Sequence, residues 1–128
     1  MAELSPAQIA LLEGKNFGAL GTTRADGTPH VSPVWVHTDG EVVTFNTARG
    51  RAKDLHLRRD NRATVMVFDL AEPYRYLEVS GTVELSDEGG AAGIDFLSNK
   101  YLGTDYPDHS DEVRVNGRLT PEWIGGNL

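Results

Sequence analysis

Between residues 46 and 53 the chain reads Asn-Thr-Ala-Arg-Gly-Arg-Ala-Lys, and three of these side chains offer complementary ways of holding an oxyanion. Thr47 supplies a hydroxyl donor, Arg51 a planar fork of N–H groups and Lys53 a compact point charge, a set that suits the oxygens of a phosphate. The segment joins the end of a predicted strand to the start of a predicted helix. Unsatisfied backbone N–H groups and the positive end of the helix dipole already favour an anion there. The same dipole opposes each cation by about 0.3–1 kcal/mol, so two cations at one helix start call for a compensating negative charge. A basic helix is otherwise a solvated face, and Arg49, Arg58 and Arg62 fit that description.

Little else in the chain has the spacing of reactive machinery. His30, His37, His56 and His109 are scattered, with no pair at the separation of a metal site, so no metal is expected. The absence of cysteine removes thiolate catalysis, disulfides and cysteine-held metals together. No Gly-x-Ser-x-Gly elbow is present, and no serine has a base beside it in sequence. No side chain is therefore assigned as catalytic. If the protein is an enzyme, the difficult chemistry belongs to a cofactor.

The elements that must position the basic segment follow from the pattern. Ser5-Pro6-Ala7-Gln8 is a capping box with proline at the first helical position, predicting a helix that buries Ile9, Leu12 and either Ala10 or Leu11 and stops at Gly14. Asp26-Gly27 separates Phe17–Arg24 from a β-branched run ending at Thr38, a strong hairpin signal that Asp39-Gly40 repeats ahead of Glu41–Thr47. Helical spacing over 50–60 puts Ala52, Leu55 and Arg59 on one face with Leu57 offset. Strands are expected at Ala63–Phe68 and Tyr74–Leu85, the second with Tyr74, Tyr76 and Glu78 on one face and a bulge at Gly81. A helix over Glu88–Tyr101, burying Ile94, Leu97 and Tyr101, a polar loop over 103–111 and a strand over Glu112–Leu119 complete the chain. The fold class is mostly β with a few helices: six antiparallel strands in a small closed or split barrel. Hairpin succession and the lack of a Gly-x-Gly-x-x-Gly motif argue against a dinucleotide fold.

At 128 residues the chain is expected to form a single domain over 1–128. Its net charge is −7, yet residues 49–62 hold six basic and two acidic side chains, an island of positive charge in an acidic protein. The acidic whole argues against nucleic acid or an anionic membrane as partner. The island can still hold a small anion, because salt screens the remainder beyond roughly 8–10 Å. The N-terminal stretch lacks a basic region and a long apolar run, so neither leader nor span is expected, and the missing cysteines fit a cytoplasmic protein.

Four segments in one order carry a resemblance: Gly27-x-Pro29-His30-Val31-Ser32-Pro33-Val34-Trp35, then Phe45-Asn46-Thr47-x-x-x-Arg51-Ala52-Lys53-x-Leu55, then Leu57-Arg58-Arg59-Asp60-x-Arg62, then Pro73-Tyr74-Arg75-Tyr76-Leu77-Glu78-Val79-x-Gly81. Over nearly its whole length the chain resembles the pyridoxamine-phosphate-oxidase-like split barrels, and within them the flavin/deazaflavin oxidoreductases that use coenzyme F420. The resemblance implies a six-stranded split β-barrel of the FMN-binding type, forming a homodimer with cofactor sites between subunits. It assigns Arg51, Ala52 and Lys53 to the cofactor phosphate with Asn46 and Thr47 nearby. Ser32, Pro33, Val34 and Trp35 would lie along the tricyclic ring, and Tyr74 and Tyr76 near it from a neighbouring strand. Asp60-Asn61-Arg62 departs from the family's usual Asp-Pro-Arg, and His56 stands where asparagine is frequent. The implied activity is hydride transfer from reduced coenzyme F420 to an electron-poor small-molecule acceptor. The alternatives are an FMN-dependent oxidoreductase of the same fold and a carrier that binds cofactor without turnover.

Overall fold

The computed structural model describes residues 2–128. In chain order the elements are α1 (Pro6–Glu13), β1 (Phe17–Thr23), β2 (Pro29–Trp35), β3 (His37–Thr38), β4 (Val43–Ala48), α2 (Ala52–Arg59), β5 (Arg62–Phe68), β6 (Tyr76–Ser86), α3 (Gly90–Leu102) and β7 (Arg114–Gly126). The capping box forms as read, with Gln8 N–H donating to Ser5 Oγ and Ser5 N–H to Gln8 Oε1. Both Asp-Gly turns place glycine at positive φ, 89° at Gly27 and 101° at Gly40, where a side chain would be strained.

The seven strands form one antiparallel sheet in the order β2-β1-β5-β6-β7-β4-β3. Its two edges, β2 and β3, are consecutive pieces of one run separated only by Val36, so the sheet must curl until its edges meet there. This corrects the expected count of six strands. The run ending at Thr38 is not one strand but two, bent at Val36, with β2 pairing only with β1 and β3 only with β4. The bend is stable because α3 serves the backbone that leaves the ladder. The Tyr101 hydroxyl accepts from Val36 N–H at 3.1 Å and has the Asn16 and Val36 carbonyls within reach as acceptors. Lys100 Nζ donates to the carbonyls of Val36 at 2.6 Å and Leu12 at 2.7 Å.

Alternate strand residues fill the barrel, namely Leu20, Val34, Val43, Phe45, Val65, Val67, Leu77, Val79 and Leu119, together with Val36 at the bend, and it is closed by Leu11 and Leu12 of α1 and Leu57 of α2. β7 runs to Gly126 although Pro121 was expected to lie beyond it. The register shifts opposite Ser80 and Gly81, so Pro121 sits at a bulge where its missing N–H costs no ladder bond. Tyr74 precedes β6 and so shares no strand face with Tyr76 and Glu78. No helix among the described residues is long and apolar enough to cross a membrane.

Because Val36 is fully buried, removing the hydroxyl that serves it leaves a dry amide unpaired. Tyr101→Phe is expected to lower the unfolding free energy by about 1–3 kcal/mol, read from urea denaturation midpoints at unchanged slope.

Candidate functional site

The N-terminal end of α2 is built by charge as much as by apolar packing. Asp54 is buried, its carboxylate accepting from Gly50 N–H at 2.9 Å and from Arg58 Nε at 2.9 Å. Asp54 and Leu57, one turn apart, therefore face inward, while Ala52, Leu55 and Arg59 face solvent. The face shared by Ala52, Leu55 and Arg59 is thus the solvent face, because a paired carboxylate takes the inward position beside the offset Leu57. The α2 start leaves the backbone N–H groups of Ala52, Lys53 and Asp54 without an acceptor among the described residues.

A cleft of about 370 Å³ opens beside that end of α2. Pro33, Val34 and Trp35 of β2 form one wall, Asn46, Arg51, Lys53 and Arg114 the cationic end, and Phe17, Ile94, Leu97 and Tyr106 the remaining apolar and aromatic surface. Trp35 is held by stacking on Tyr101, with centroids 5.3 Å apart and planes 8° from parallel, and Tyr106 meets it edge-on. Its indole is thus fixed as a wall by packing against α3.

The cations of the basic island differ in what neutralises them. Arg49 pairs with Asp87, Arg58 with Asp54, Arg62 with Asp60, and Arg51 with Glu112 at 2.8 Å. Arg59 donates to the Thr23 carbonyl. Lys53 has neither an ion pair nor a hydrogen bond among the described residues. Burial, and then the Arg51 and Arg114 charges, push its ammonium below the usual 10.5. A half-buried lysine between two guanidinium groups is a site of unspent positive potential.

Arg114 is a site residue that the sequence reading missed. It is buried on β7, directly across the ladder from Ala48, and donates to Asn46 Oδ1 at 3.0 Å and to Glu112 at 3.0 Å, with the Tyr106 ring 5.1 Å from its guanidinium carbon. Asn46 is in turn fixed by donating to the Gly90 carbonyl and to Asn116. Glu112 carries the opposing charge. Partial burial alone would raise its pKa, but Arg114 and Arg51 hold its carboxyl below the usual range.

Of the residues named from sequence, Pro33, Val34, Trp35, Asn46, Arg51 and Lys53 meet around this cleft. Thr47 is buried, with Oγ1 lacking any partner, and Ser32 Oγ on β2 is likewise unpartnered. Ala52 is exposed on the first turn of α2. Tyr74, 85% exposed, and Tyr76 at the start of β6 do not line the cleft of their own chain. Among the described residues, no three His, Asp or Glu side chains gather as metal ligands.

Comparison with known proteins bears on this geometry. The sequence model described as pyridoxamine 5'-phosphate oxidase matches residues 4–124. An F420 reductase of known structure is 32% identical, with a TM-score of 0.85 over 95% of this chain and 98% of that one. A conserved hypothetical protein of Mycobacterium tuberculosis is 23% identical, with a TM-score of 0.73 over 94% of this chain and 82% of that one. The general stress protein 26 of Bacillus anthracis is 21% identical, with a TM-score of 0.66 over 90% of this chain and 86% of that one. The last two share the fold alone.

Proposed function

The chain belongs to the pyridoxamine 5'-phosphate oxidase-like split-barrel family, and from that premise we propose that it is an oxidoreductase using reduced coenzyme F420 to reduce an electron-poor small-molecule acceptor. The observation that carries the reading is Lys53: half-buried, flanked by Arg51 and Arg114, and with no carboxylate of its own among the described residues. A phosphate is the group that relieves this arrangement. The free amides at the start of α2 fit the same ligand.

Lys53 and Arg51 would grip the phosphate, with Ala52 contributing its backbone amide and Asn46 holding Arg114 in place behind them. Pro33, Val34 and Trp35 would form the apolar wall along the tricyclic ring, with Ser32 and the β2 backbone at its polar edge. The bound deazaflavin supplies the hydride; the protein's part is to hold donor and acceptor in contact and exclude water. Alignment of that kind is worth roughly 7–11 kcal/mol of the barrier.

The same reading takes residues 1–128 as one domain that forms a homodimer. In its support, the outer face of β1, β2, β5 and β6 is a concavity of about 890 Å³ bearing Val31 and Met66, both exposed. Tyr74 and Tyr76 would then approach the partner's cofactor instead of their own.

Titrating the purified protein with coenzyme F420 and FMN side by side by fluorescence tests the assignment, followed by mixing reduced F420 with enones and quinones. Tighter F420 binding and acceptor-dependent oxidation are expected. Comparable weak binding of both cofactors overturns the assignment, and tight binding without turnover of any acceptor identifies a carrier. FMN as the tighter ligand, with flavin-dependent turnover, identifies the FMN enzyme of the same fold.

The depressed pKa of Lys53 sets the pH dependence of that affinity. A lysine below its usual 10.5 loses its proton earlier on the alkaline side, and a bound anion pulls the pKa back up. Affinity is therefore expected to fall as pH rises through the depressed value, with protons taken up on binding in that range. Calorimetry in two buffers of different ionisation heat measures the uptake, and Lys53→Met abolishes it.

A further inference from the structure

The cationic end of the cleft contains a carboxylate that a simple anion site would omit. Glu112 lies 2.8 Å from Arg51 and 3.0 Å from Arg114, with a quarter of its side chain exposed. Its carboxylate is held by these two ion pairs, and the backbone that carries it is anchored as well. Its backbone N–H donates to the His109 carbonyl at 3.0 Å, closing the turn that leads into β7. Two residues on, Arg114 is held in place by Asn46 and by the Tyr106 ring. Any anion brought to Arg51, Lys53 and Arg114 therefore also meets the negative charge of Glu112 while these ion pairs hold.

That repulsion is proportional to the charge of the phosphate group placed beside it. A phosphomonoester carries close to two negative charges at neutral pH and a phosphodiester carries one. We infer that Glu112 is a specificity-determining residue, which biases the cleft toward a singly charged phosphodiester and against a doubly charged phosphomonoester. The inference rests on the reading of the cleft as a phosphorylated-cofactor site. It deepens that reading, because the phosphate of coenzyme F420 is a diester and that of FMN a monoester. Arg51 and Arg114 keep the geometry needed to grip either ligand, while Glu112 subtracts about twice as much attraction from the monoester.

For a phosphate placed about 6 Å from the Glu112 carboxylate, at an effective dielectric of about 40, each unit of charge is worth about tenfold in affinity. Glu112→Gln, which keeps the shape and an acceptor for Arg51, is therefore expected to tighten coenzyme F420 by about tenfold and FMN by about a hundredfold, as the single and double charges of the two phosphate groups beside it require. The ratio of the two dissociation constants, measured by fluorescence titration at one fixed low salt concentration, moves about tenfold toward FMN. Glu112→Asp retains the charge and leaves the ratio within about twofold of wild type, as expected if charge and not shape decides. Glu112→Ser gives the same readout as Gln should the longer side chain impair folding. A neutral variant that tightens both cofactors equally, or weakens both, overturns the role of Glu112 while leaving the cofactor reading intact. Wild-type protein that binds neither cofactor overturns both.

Discussion

Lys53→Ala is expected to weaken binding of coenzyme F420, and of FMN, by about 1.5–3 kcal/mol, a factor of ten to over a hundred in dissociation constant. The range is the worth of a hydrogen bond to a charged group, and the partly dry setting places Lys53 within it. Lys53 makes no ion pair or hydrogen bond with the rest of the chain among the described residues, so the variant should fold as wild type does. It also relieves repulsion from Arg51 and Arg114, so the thermal midpoint without ligand should stay level or rise. Lower affinity together with undiminished stability marks a residue kept for its ligand. Unchanged affinity for both cofactors would remove the observation on which the functional reading stands. The comparison needs only a fluorescence titration and a thermal scan of the two proteins.

Gly90→Ala is expected to be the most damaging small substitution near the site. Gly90 begins α3 and is pressed against β7 so closely that a Cβ there would lie 1.9 Å from the Arg114 carbonyl oxygen. The obstructing atoms are backbone and cannot rotate away, so α3 has to lift from the sheet. Overpacking of this kind costs typically 1–3 kcal/mol and at backbone contacts more, so a loss of about 3 kcal/mol and a fall of about 10 °C in midpoint is expected. The displacement reaches the site directly. The Gly90 carbonyl accepts from Asn46, and Asn46 in turn holds Arg114. Cofactor affinity should therefore drop with stability, in contrast to Lys53→Ala, and differential scanning calorimetry with and without cofactor separates the two cases. A Gly90→Ala protein of wild-type stability would mean that α3 does not bear on β7 as described.

The parts of this structure that were legible in the sequence are those whose determinants lie close together in the chain. The α1 capping box is settled within four residues, and each Asp-Gly turn within two. The bulge at Gly81 could be anticipated because a glycine inside a long strand marks close approach by another backbone. Here a Cβ would lie 1.9 Å from the Thr120 carbonyl oxygen. Thr47, Arg51 and Lys53 stood out because a hydroxyl and two cations at one strand-to-helix junction are costly without an anion.

The bend at Val36 was not legible, because nothing in Trp35-Val36-His37 breaks a strand. What breaks it is a pair of side chains, Lys100 and Tyr101, that arrive from α3 more than sixty residues later. The inward face of α2 was not legible for a related reason. Apolar periodicity gives no weight to a carboxylate, yet Asp54 is buried because Gly50 and Arg58 satisfy it. Arg114, Glu112 and Tyr106 were unrecognised as site residues because their sequence neighbours are ordinary loop and strand residues. Only the pairing of β4 with β7 brings Arg114 across from Ala48.

By itself, then, the sequence determined a mostly β antiparallel barrel with three helices and a phosphate-suited cluster at residues 47–53, because hairpins, caps and local charge are written within a few consecutive residues. The tertiary structure decided which of those cations is free to act. In sequence Arg51 and Lys53 look like equals, but in space Arg51 is matched by Glu112, sixty-one residues away, while Lys53 faces two positive charges with no counter-ion among the described residues. Electrostatic interaction depends on separation in space and on the local dielectric, so neither the neutralisation of Arg51 nor the exposed potential at Lys53 exists until β7 has closed against β4.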